Sequence, residues 1–298
     1  MKRLTGILLI AISAASFGTL AIFGRFLYAD GMDTFTVLFL RFGISASIMT
    51  VILLLRKEPL PRGRVLGLLI GMGALGYVGQ SFSYLSAIKY ASAGLVALLL
   101  YLYPMFVFIL SVIFLHEKVT WAKAAALGLA LIGTTLIGIA LRIDPAGSAN
   151  RQFLGIFFAI TAAVVYSVYI IVGTDVMRHV SAVQSSVVIF ASAGAVYGIL
   201  TAVNGAHFPA SSSGWWSMAG IVLLATVIPV VTFLAGLERI GPTNAAMLST
   251  LEPVVTVLLA AWLFAERLEW ITLVGGTLIL VAVMVLTRSE MQNKQSGE

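Results

Sequence analysis

Apolar runs of about 20 residues, the length that carries a helix across the hydrocarbon core of a bilayer, follow one another along almost the whole chain. They read as Leu4–Tyr28, Thr34–Leu55, Val65–Ala87, Ala93–Leu115 and Trp121–Leu141. A second set follows: Phe153–Gly173, Gln184–Val203, Trp215–Leu237, Thr243–Phe264 and Trp270–Thr287. Connections such as Asp30–Asp33, Arg56–Arg64 and His116–Thr120 are short. Successive helices must therefore be antiparallel neighbours, and no connection can hold a soluble domain. The runs are continuously apolar rather than alternating, which selects helices over a barrel. The expectation is an all-α polytopic membrane protein with ten transmembrane helices.

Composition agrees. Of 298 residues, 60% are hydrophobic and 10% charged, against about 25% charged in soluble domains. That excludes a cytosolic enzyme and a disordered chain. The net charge of +6 reads as topology rather than as a nucleic-acid footprint. With the N-terminus inside, one face collects Lys2, Arg3, Arg56, Lys57, Arg62, Arg64, Lys118, Lys123, Arg178, Arg239, Arg288 and Lys294. The other holds Lys89, Arg142, Arg151 and Arg267. This bias puts both termini in the cytoplasm of a cell with an inner membrane. Met1-Lys2-Arg3 before an apolar run mimics a signal peptide, but the run is long and a second span follows at once, so an uncleaved first helix is expected. Cys is absent, and His116, His179 and His207 are scattered. No metal site and no cofactor are expected.

The chain repeats itself. Leu99, Leu102, Pro104, Glu117 and Trp121 recur in unbroken register as Leu248, Leu251, Pro253, Glu266 and Trp270, 149 residues on. Pro, Glu and Trp are scarce here, so these matches carry weight. The expected halves are residues 1–147 and 148–298, each of five helices. Five is odd, so the second copy enters the membrane inverted, the architecture of secondary transporters with a site between the repeats near the midplane.

Ser92-Ala93-Gly94 with Leu98-Leu99, Leu102, Pro104, Glu117 and Gly128 resembles the signature of the EamA branch of the drug/metabolite transporter superfamily. Gly241-Pro242 through Leu251-Glu252-Pro253 to Glu266 and Gly275-Gly276 is closer still. The resemblance implies a ten-helix carrier with alternating access. It implies a central cavity lined by helices one, three, four, six, eight and nine, with five and ten peripheral. Small multidrug relatives carry a proton-exchanging glutamate on their first helix. Leu4–Tyr28 contains no carboxylate, which disfavours a proton/cationic-drug antiporter of that kind.

Glu252 is the acid in the middle of a span, where an ionisable group ordinarily faces a cavity or a partner. Its repeat mate is Tyr103. Two readings stand for it: recognition of a substrate amine or proton coupling, and a structural role beside Pro253 or an arginine. Arg41 lies deeper than Arg25, which can snorkel to the interface; structural pairing is favoured for Arg41. Tyr77, Gln80 and Tyr84 share one face of the third span, and Tyr166 and Tyr169 form a similar pair in the sixth. These phenols with Tyr103 suit a cavity for a partly apolar solute, or else helix packing. Pro104 and Pro253 are candidate flex points for gating. Gly67–Gly71 and Gly128–Gly133 read as close helix contacts. Trp121, Trp215, Trp216 and Trp270 read as interface anchors, and Glu117-Lys118 and Glu266-Arg267 as charged helix ends. The leading function is export of a small metabolite or amino acid by a monomer or homodimer embedded in lipid, with no nucleic-acid partner. An intramembrane lipid enzyme would need clustered acids or a His constellation, and a channel a ring of charge or a carbonyl filter.

Overall fold

The structure is a computed structural model that describes residues 2–90, 96, 99–140, 149–264 and 270–295. Among the described residues there is helix and no strand. The helices are α1 (Lys2–Phe17), α2 (Leu20–Ala29), α3 (Thr34–Leu55), α4 (Gly63–Gly71), α5 (Val78–Tyr90), α6 (Tyr103–Leu115), α7 (Trp121–Ala140), α8 (Ala149–Val176), α9 (Ala182–Asn204), α10 (Ser212–Val222), α11 (Ile228–Ile240), α12 (Pro242–Ser249), α13 (Leu251–Phe264) and α14 (Trp270–Gln295). Two π-helical segments, π1 (Met72–Tyr77) and π2 (Leu223–Val227), join α4 to α5 and α10 to α11. Seven helical stretches are long and apolar enough to cross a membrane. The shorter apolar helices Tyr103–Leu115, Trp121–Ile137 and Trp270–Leu286 occupy the other expected spans. Ser92, Ala93, Gly94 and Leu98, and Glu266 and Arg267, lie outside the described residues.

Half of the expected spans differ from single regular helices. The first is interrupted at Gly18–Thr19, the fourth at Tyr101–Leu102 and the ninth at Thr250, while the third and eighth pass through π1 and π2. Each interruption releases backbone groups that hydrocarbon cannot satisfy. At Gly18 the released carbonyl accepts from Thr256 Oγ1 at 3.1 Å. Pro104 and Pro253 do not kink continuous helices as expected. They lie in the first turn of α6 and α13, just after the interruptions, where a missing N–H costs little.

Helices pair across the two halves: α3 packs along α9, α7 along α14, α1 along α11 and α5 along α8. The ends of the first pair are tied by polar contacts. Asp33 caps α3, accepting from Phe35 N at 2.8 Å and Thr36 N at 3.0 Å, and meets His207 Nδ1 at 3.3 Å. Beside it Asp30 Oδ2 accepts from Ala210 N at 2.9 Å. At the opposite end Ser181 caps α9 and donates to Glu58, and Gln184 Nε2 donates to the Pro59 carbonyl at 2.6 Å. The connections 30–33 and 205–211 therefore share one end, and 56–62 and 177–181 the other. Of the tryptophans expected as anchors, Trp121 is 91% exposed and Trp216 and Trp270 are 79% exposed.

The glycine expectation holds at one position of four. Gly67, Gly71 and Gly128 face open space, whereas a Cβ on Gly133 would stand 2.6 Å from the Gly275 carbonyl oxygen. Gly275 returns the same contact to Gly133, so α7 and α14 touch backbone to backbone. That backbone cannot give way. Gly133→Ala is expected to cost about 1–3 kcal/mol, read as a lower melting temperature of the purified protein, whereas Gly128→Ala should lower it not at all.

Candidate functional site

The interruptions converge on the start of α13. Thr250 ends α12, and Glu252 sits in the first turn of the next helix. A carboxylate there complements the positive end of the helix dipole. The interruption in the first span packs against the same turn: a Cβ on Gly18 would meet Val255 at 2.9 Å and the Glu252 carbonyl oxygen at 3.1 Å. Glu252 is half-buried deep in the bundle, and its carboxylate makes no hydrogen bond or ion pair among the described residues.

Several tyrosines share this part of the bundle. Tyr77, Tyr84, Tyr101, Tyr103 and Tyr166 all lie close enough for their phenols to feel the Glu252 charge. Their rings form a ladder. Phe42 meets Tyr77 edge-on at 5.1 Å, Tyr77 meets Tyr169 at 5.6 Å, Tyr169 stacks on Tyr166 at 6.0 Å, and Tyr166 meets Tyr103 edge-on at 4.8 Å. Such pairs contribute about 0.5–1.5 kcal/mol each beyond their area, which makes the wall rigid. Two rungs stand behind it: Tyr103 is 3% exposed and donates to the Ala246 carbonyl, and Tyr169 is 5% exposed. Tyr77, Gln80, Tyr84 and Tyr166 are half-buried and keep surface. Gln80 Oε1 accepts from Ser81 Oγ at 3.3 Å. The structure thus brings together Glu252, both expected tyrosine pairs and Tyr103. It adds Tyr101, whose place beside the Tyr101–Leu102 turn had no sequence signal other than the nearby Pro104.

Arg41 is 5% exposed and meets no acid. Its Nε donates to Thr226 Oγ1 at 2.6 Å and Nη2 to the Ala225 carbonyl at 3.1 Å, and the guanidinium lies 5.0 Å over the Phe42 ring. Pro229 explains the carbonyl. It has no N–H to return to Ala225 four residues back, so the arginine supplies the donor. Structural pairing was the favoured expectation, and the partner is π2 rather than a carboxylate. Pro229 in an otherwise apolar run was the available signal.

The sequence model of the EamA-like transporter family matches residues 4–139 and again 153–288. The chain belongs to this family. An uncharacterized transporter of Archaeoglobus fulgidus is 28% identical over 94% of this chain and 95% of its own length. The Bacillus subtilis transporter YcbK is 24% identical over 98% and 95%. A protein of Streptantibioticus cattleyicolor named as a probable terminal-alkyne amino-acid exporter is 27% identical over 86% of both chains. A solved crystal structure superposes with a TM-score of 0.84, at 22% identity, over 95% of this chain and 98% of that one. The fold is that of a polytopic membrane transporter, and the names of these relatives are those of transporters rather than enzymes.

Thr226 fixes the guanidinium of Arg41, and a hydrogen bond to a charged group contributes about 1.5–3 kcal/mol. Thr226→Val, which keeps the shape, should lower the melting temperature by an amount equivalent to that loss. Thr232→Val, whose hydroxyl bonds only carbonyls of its own helix, should leave it nearly unchanged.

Proposed function

We propose that this EamA-family transporter is a secondary carrier that exports a small organic solute across the inner membrane by alternating access at Glu252. In this reading ten helices form two inverted repeats, residues 1–147 and 148–298, with both termini cytoplasmic. The protein works as a monomer or homodimer without a cofactor.

The observation that carries the reading is the placement of the irregular segments. π1 and π2 fall in the third and eighth spans. The interruptions at Tyr101 and Thr250 fall in the fourth and ninth, 149 residues apart, the same spacing as Pro104 and Pro253. The helix pairs follow the same correspondence. α3 with α9 and α7 with α14 each join repeat mates, and α1 with α11 exchanges with α5 and α8. A fold with two interchangeable halves around a broken-helix centre has two arrangements of similar energy, which alternating access requires. The name of the Streptantibioticus relative supports amino-acid export as the solute class and direction.

Glu252 would take the solute's amine, and the half-buried tyrosines its apolar body. Glu252→Gln should then weaken both counterflow and pH-driven accumulation in proteoliposomes by about tenfold or more, the value of one charged hydrogen bond. Unchanged transport would make the residue structural. Pro104→Ala and Pro253→Ala restore helical donors at the two interruptions. They should slow exchange more than they change half-saturation, and two fully active variants would remove the prolines from gating.

A further inference from the structure

We propose that Glu117, Lys123 and Thr243 form a latch between the two halves that must break before the Glu252 site opens to the cytoplasm. The latch rests on the alternating-access reading above and adds to it the contact that holds one end shut.

The contact follows from how two helices end. α6 stops at His116, which takes the left-handed conformation with φ 54°, and the Ser111 carbonyl accepts from the N–H groups of both His116 and Glu117. That turn fixes Glu117 against the start of α12, where Gly241 has φ 78° and Pro242 opens the helix. Both carboxylate oxygens are then used. Oε1 accepts from Lys123 Nζ at 2.6 Å, and Oε2 accepts from Thr243 Oγ1. Thr243 is fully buried, and the side chains of Lys123 and Glu117 are 12% and 19% exposed. Charge-assisted bonds withdrawn from water in this way are stronger than an exposed surface pair.

Position gives the contact its role. Glu117 and Lys123 belong to the first half and Thr243 to the second, so the Thr243–Glu117 bond crosses between the repeats. The same two helices meet again nearer the site, where Tyr103 at the start of α6 donates to the Ala246 carbonyl of α12 at 3.3 Å. α6 is thus tied to α12 from both of its ends. Glu117, Gly241 and Pro242 also line a cavity of about 250 Å³, together with the buried Thr174 and the exposed Arg178 and Glu238. Arg178 lies in the connection 177–181, at the end that the orientation proposed above places in the cytoplasm. Rocking one half away from the other at this end separates Thr243 from Glu117.

The duplication makes the latch one-sided. At the spacing of 149 residues Glu117 is matched by Glu266, but Thr243 is matched by Gly94 and Lys123 by Thr272. Gly94 has no hydroxyl and Thr272 no amine, so the same three side chains are not present at the other end. Where two arrangements are otherwise alike, one additional hydrogen bond to a charged group shifts the balance about tenfold or more toward the state closed to the cytoplasm.

The test reads Tyr84→Cys, in a chain with no other cysteine, by its rate of labelling with a membrane-impermeant maleimide in inside-out and in right-side-out vesicles. Adding Thr243→Val, which keeps the shape and removes the hydroxyl, should raise the ratio of cytoplasmic to external labelling about tenfold. Lys123→Met should raise it in the same direction, and Thr243→Ser should leave it at the value of Tyr84→Cys alone. An unchanged ratio with Thr243→Val would overturn the latch while leaving alternating access standing. Labelling from one side only in every variant would overturn both. A second measurement needs no valine variant. Glu117→Cys with Thr243→Cys, joined by a short reducible thiol cross-linker, should stop counterflow in proteoliposomes until the link is reduced. Cross-linked protein that exchanges at the reduced protein's rate would overturn the latch.

Discussion

A peptide group without a partner in hydrocarbon costs several kcal/mol, and this chain interrupts its helices repeatedly at membrane depth. Two of these interruptions, at Gly18 and in π2, have specific answers. Thr256 donates to the Gly18 carbonyl. Arg41 donates to the carbonyl that Pro229 cannot serve. Thr226 donates to the Ile221 carbonyl as well as accepting from Arg41. Irregular backbone inside a membrane is tolerated where it is buried in protein or lines a cavity, and here the interruption of the first span packs against the turn that carries Glu252.

The same arrangement explains how ionisable groups persist so far from water. Glu252 sits at a helix start, where the dipole favours its charge, and it keeps open surface. Arg41 gives up solvent but gains two neutral acceptors and the face of Phe42. From Phe42 under Arg41, the ring ladder running to Tyr103 supplies apolar surface with phenols at its edge. The carrier proposed above would use the ring ladder as a wall and the helix interruptions as joints. In that proposal the wall would give selectivity and the joints two arrangements around one site. The long contact of α7 with α14 brings the two helices together through backbone touching at Gly133 and Gly275.

Much of this was legible in the residues. The second span runs over Thr34–Leu55 as expected, because Asp33 caps its start and charged residues follow its end. Glu252 and the face Tyr77–Gln80–Tyr84 stood out because a carboxylate and an amide are rare in such runs. The interruption at Gly18–Thr19 was not legible, since Gly and Thr are common within membrane helices and no proline marks it. The π segments were equally hidden. A Cβ on Gly73, inside π1, would collide with Ser192 and Ile189, but nothing in composition separates a π turn from an α turn. Arg41 was found and its partner was not, because hydrogen bonds to a carbonyl 184 residues away depend on tertiary packing. Spacing of small residues misled for Gly67, Gly71 and Gly128, whose faces turn away from any neighbour.

The central claim is that the space around Glu252 opens alternately to the two sides of the membrane, and the chain offers a direct way to measure it. It contains no cysteine, so a single Tyr84→Cys variant reports on that space without background. A membrane-impermeant maleimide applied to right-side-out and to inside-out vesicles should label the cysteine from both sides, with transported solute shifting the balance between them. Labelling from one side only under all conditions, or from neither, would contradict the account.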